Sequence, residues 1–75
     1  MYLLKKEFID LFKEIRTKVY AESLGCDAGF MSSVLNGNKI CSEMVAKAMI
    51  NVRFEVHFKS EEMTQLLTKY FAKEK

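Results

Sequence analysis

The chain has 75 residues, 49% of them hydrophobic and 29% charged, with three glycines and no proline. That length allows one domain, and the composition excludes disordered, collagen-like and loop-built chains. Twelve basic residues against ten acidic leave a net charge of +2, which lacks the excess of a polybasic nucleic-acid binder and turns attention to where each charge sits.

Leu4, Phe8, Leu11, Phe12 and Ile15 recur at helical spacing, so the first expected helix runs from about Leu3 to Arg16. A second, short helix is expected over Thr17–Leu24, with Thr17 as its cap and Gly25 at its end. Asp27 is placed to cap a third helix, Ala28–Leu35, which Asn36-Gly37-Asn38 stops. Ser42 is the expected cap of a fourth helix reaching about Asn51. Ser60 is the expected cap of a fifth, with the apolar stripe Met63, Leu66, Leu67, Tyr70 and Phe71. Between these two, Val52 to Phe58 alternates apolar and polar residues, which favours a short extended segment near 52–58. Continuation of the fourth helix to about Phe54 is the competing reading.

The stretch from Thr17 to Asn38 carries the most information. Two short helices flank a three-residue turn. Ala21 is small enough for the helices to cross closely, and Gly25 tolerates the positive φ that the turn needs. Cys26 can plug the corner. Met31 and Val34 would face the core, while Ala28, Gly29, Ser32 and Ser33 would point outward. This is the logic of a helix-turn-helix, whose second helix can enter the DNA major groove.

The segment resembles the helix-turn-helix of the phage Cro and repressor family. The matching features are Ala21, Leu24-Gly25, Asp27, Met31, Val34 and Leu35-Asn36-Gly37. The resemblance implies a mainly α, compact four- to five-helix lambda-repressor-like domain over 1–75, with the motif at about 17–38. It also implies a transcriptional regulator that binds a double-stranded DNA operator, with a recognition helix at about 27–35 and homodimer formation. Base-facing positions would be Ala28, Gly29, Ser32 and Ser33, and backbone-facing positions Thr17, Lys18, Asn36, Asn38 and Lys39. The chain departs from this pattern in one respect: the recognition helix holds no Arg, Lys, Gln or Asn before Asn36, and those side chains make the strong bidentate base contacts. Few lysines, Lys18, Lys39 and Lys47, stand ready to neutralise phosphates. The same departure supports an alternative, an antirepressor that uses Asp27 and the quiet Ala28/Gly29 surface to grip a partner repressor's basic helix.

Other classes find little support. His57 is the lone histidine and has no visible Cys-His or Ser-His partner, Cys26 and Cys41 lie 15 residues apart with no C-x-x-C spacing for zinc, and the glycine spacing fits no nucleotide loop. An enzyme, a metal or cofactor and a small-molecule substrate are therefore not expected. No apolar run spans a membrane and Met1–Lys6 lacks the apolar segment of a signal peptide, so no membrane partner is expected. Two cysteines are too few for a disulfide scaffold, which leaves a cytoplasmic protein with reduced thiols. Cys41, just before a helix start, is placed where a thiol pKa falls. Nine aromatic residues exceed what so small a core readily encloses. The stripe of the last helix is expected to pack onto the first helix and close the core; the sharper reading leaves Phe54, Phe58, Tyr70 and Phe71, together with Asp27, as a dimer or partner surface.

Overall fold

The computed structural model describes residues 1–74. Among them the chain forms five α-helices and one two-stranded antiparallel sheet. The helices are α1 (Ile9–Phe12), α2 (Thr17–Leu24), α3 (Ala28–Leu35), α4 (Glu43–Phe54) and α5 (Ser60–Tyr70). The strands are β1 (Tyr2–Leu4) and β2 (Phe71–Lys73), in the register Tyr2↔Lys73, Leu3↔Ala72 and Leu4↔Phe71. The expected mainly helical, compact domain is what forms.

The first expected helix is the largest correction. Tyr2–Leu4 is strand, Lys6–Phe8 a single 3-10 turn, and only Ile9–Phe12 is α-helix. The strand exists because β2 returns beside it from the far end of the chain. Cys41 adds a bridge on the other side, exchanging two 2.8 Å hydrogen bonds with Tyr2. The helix stops because its last carbonyls are taken by distant side chains. Tyr20 Oη donates to Phe12 O at 2.6 Å, and Arg53 Nε donates to Leu11 O at 2.6 Å.

The extended segment expected near 52–58 is also overturned. Val52, Arg53 and Phe54 complete α4, and the apparent alternation is three faces of one helix. Val52 lies beside α2, Arg53 reaches α1, and Phe54 stacks edge-on to Phe12. Glu55 then closes the helix in the left-handed conformation, at φ 55°. Asn51 holds the following connector, accepting from Val56 N through its carbonyl and from Phe58 N through Oδ1.

The core is apolar throughout and lies between all five helices and the sheet. Phe12, Tyr20, Met31, Val34, Leu35, Met49 and Ile50 are wholly buried. Phe12 is the hub of an aromatic cluster, with the rings of Tyr70, Phe71 and Phe54 at 5.5, 5.8 and 6.4 Å. Phe8 joins through Tyr70 at 4.8 Å, and Phe58 through Phe54 at 6.2 Å. Tyr70 and Phe71 are therefore core residues and not a partner surface, and Phe54 and Phe58 are half-buried against them. The aromatics stack on one another mostly edge to face, an arrangement favoured by the ring quadrupoles, with Phe54 and Tyr70 tilted at 33°.

Candidate nucleic-acid interface

The α2–turn–α3 unit has the expected boundaries. Gly25 ends α2 at φ 67°, and the Gly25 and Cys26 N–H groups both donate to Ala21 O. Ala21 is buried where α2 meets α3, as its size requires, and Cys26 is half-buried in the corner. Asp27 caps α3: its Oδ2 accepts from Phe30 N at 3.1 Å. Met31, Val34 and Leu35 fill the inner side of α3. Two caps fall elsewhere than expected. Arg16 and Lys59 occupy the cap positions of α2 and α5 with no side-chain bond, so Thr17 and Ser60 are the first helical residues. Ser42 caps α4 as expected, accepting from Val45 N at 3.2 Å.

The outer side of α3 is small and polar. Ala28, Gly29 and Ser32 are exposed, and Ser33 is half-buried. Gly29 sits so near the cap that a Cβ there would lie 2.9 Å from Asp27 Oδ2. The absence of a side chain at Gly29 thus protects the cap as well as flattening the surface. At the far end of α3, Gly37 turns the chain at φ 72°, and Asn38 N donates to Ser33 O at 2.9 Å.

The expected backbone-facing residues do not form one group. Asn36 Nδ2 donates to Ser32 O at 2.8 Å and its Oδ1 accepts from Lys13 Nζ, so its amide is already engaged. Lys39 extends over the Phe30 ring, 5.4 Å from its centroid. Lys18 and Asn38 are exposed and Thr17 half-buried, and among the described residues no side-chain hydrogen bond ties them to α3. Lys47 is paired on its own helix with Glu43 at 2.9 Å, and that ammonium holds the Glu43 carboxyl below its usual range. Lys13 went unnoticed in the sequence because it lies outside the motif, on what reads as the solvated back of the first helix. Only the fold brings it to the end of α3.

Some large apolar side chains remain exposed. Met44 is 80% exposed and Val56 45%. An open groove of about 410 Å³ lies between Ser23 and Leu24 of α2, Ala48 and Val52 of α4, and Val56 and His57 of the connector. Cys41 is buried beside β1 despite its place just before α4, and burial pushes its thiol up to about 11. Among the described residues no helix is long and apolar enough to cross a membrane. The chain matches no family model, no curated protein and no solved structure.

Proposed function

We propose that the protein is a DNA-binding transcriptional regulator of the phage or prophage type, acting in the cytoplasm as a dimer with α3 in the major groove. The observation that carries this reading is the exposed face of α3, built on a helix-turn-helix pair and, among the described residues, left uncovered. Ala28, Gly29 and Ser32 let the helix approach base edges closely, and lysines stand at both of its ends, Lys39 over Phe30 and Lys13 on Asn36. Base readout rests on Ser32 and Ser33 hydroxyls and on contact between the Ala28 methyl and thymine. These are permissive contacts, so the affinity of one domain is low and dimerisation supplies the rest. The molecule measures 30 × 26 × 20 Å, small enough for two copies to occupy half-sites about 34 Å apart.

Selection of preferred duplexes from a random pool, followed by titration at low salt, tests the reading. Enrichment of a two-fold-related site is expected. Failure of the folded protein to prefer any sequence at low salt would overturn it.

A second reading follows from the absence of long hydrogen-bonding side chains on α3 before Asn36. As a repressor antagonist, the protein would offer the same quiet face and the exposed Asp27 carboxylate to a partner's basic helix. Co-purification with a repressor encoded nearby, without retention on DNA, would favour it.

A further inference from the structure

We infer that Lys13, which precedes the helix-turn-helix pair, is a phosphate-contacting residue of the α3 face and that Asn36 is its positioning residue. This rests on the DNA-binding reading above. Lys13 lies just past the last turn of α1 and is exposed. Its Nζ donates to Asn36 Oδ1, while Asn36 Nδ2 donates to Ser32 O at 2.8 Å. One side chain thus joins the ammonium to the backbone of α3, at a residue whose hydroxyl faces outward.

An ammonium has three N–H donors and no acceptor. Asn36 takes one, and among the described residues no carboxylate pairs with Lys13. Two donors and the full charge are left facing solvent at the edge of the exposed helix. Three other cations are engaged within the fold: Lys47 on Glu43, Arg53 on Glu14 and Leu11 O, and Lys5 on Thr68 O. A purely structural role accounts poorly for the arrangement, because a link between two exposed side chains adds little to stability. What the link does is fix where the charge stands. Lysine meets phosphate as a point charge, so the contact sets register and salt dependence and carries no base information.

Anisotropy titrations of the intact chain with a mixed-sequence DNA duplex at several salt concentrations test the assignment. Loss of one phosphate contact lowers the slope of log K against log salt by about 0.9, so a salt increase of about fourfold weakens Lys13→Gln about 3.5-fold less than the parent. Lys13→Arg should restore the parent slope, and Asn36→Ala should lower affinity at low salt with the charge retained. Lys59→Gln, the same charge change at the start of α5, should leave the slope unaltered. Thermal melts should be alike for all, so that a change in slope reports the contact and not a change in folding. A parent slope in Lys13→Gln, or an equal loss in Lys59→Gln, overturns the assignment while leaving DNA binding intact. No binding by the parent to any duplex overturns the DNA reading and the assignment together.

Discussion

Asp27 serves the fold and opposes the proposed ligand through the same carboxylate. It caps α3 through Phe30 N and leaves a negative charge at the end of the helix that would approach phosphate. Asparagine caps about as well as aspartate, so the two effects are separable. Asp27→Asn should leave urea-unfolding stability within about 0.5 kcal/mol, whereas Asp27→Ala should cost about 1 kcal/mol. Affinity of Asp27→Asn for duplex DNA should rise. An unchanged affinity would mean that the charge never meets the backbone, and weakened capture of a repressor would favour the antagonist reading. Glu55 presents a different local cost. It holds φ 55° with a Cβ, where glycine is at ease. Glu55→Gly should stabilise the fold by about 0.5–1 kcal/mol in the same unfolding assay. A loss would show that its side chain supports the connector to α5.

At the scale of elements, the short α1 shows how tertiary structure sets a helix length. Periodicity carries the apolar stripe on to Ile15, yet the helix ends at Phe12. Tyr20 and Arg53 satisfy the carbonyls that another turn would have used. Tyr20→Phe keeps the ring and removes the phenol's bond to Phe12 O, which still accepts from Ile15 N, at an expected cost of about 0.5–1.5 kcal/mol by denaturant unfolding. Full retention of stability would place the end of α1 under local control instead. The sheet is a comparable case. β1 and β2 have three residues each, too few to stand alone. They persist because Leu4 and Phe71 insert into the core from them. Phe71→Ala should cost about 3–5 kcal/mol, most of the stability of so small a domain. Loss of the cooperative circular-dichroism melt at ordinary temperature would register it.

For the whole molecule, stability should fall in alkali. Burial raises the Cys41 thiol from 9.0 to about 11, and it also raises the Tyr20 phenol above its ordinary value of 10.0. Both groups are neutral in the fold and ionise more easily in the unfolded chain. Their contribution is therefore complete below pH 9 and lost as pH rises, first between 9.0 and about 11 for Cys41, then further above 10.0 for Tyr20. Melting temperature should be flat up to about pH 9 and decline above it. Cys41→Ala should decline less steeply in the first interval; an identical decline would remove the thiol from the account. The surface of the whole molecule has also been redistributed. With the aromatics enclosed, the exposed large apolar residues are Met1, Val19, Ile40, Met44 and Val56, scattered over several elements.

What the sequence determined by itself was local in origin. The bounds of α2 and α3, the left-handed Gly25, the caps at Asp27 and Ser42 and the outward residues of α3 all follow from chemistry within a few positions. The tertiary structure decided whatever depends on partners far along the chain. Tyr2–Leu4 is a strand only because residues 71–73 lie beside it, and Val52–Phe54 is helix because no strand offers a ladder there. Tyr70 and Phe71 are core because Phe12 waits 5.5 and 5.8 Å away. Lys13 belongs to the α3 face because Asn36, 23 residues later, holds its ammonium. Periodicity reports which side of a helix is apolar, but not which distant group will arrive to end it, pair with it or carry its charge to another surface.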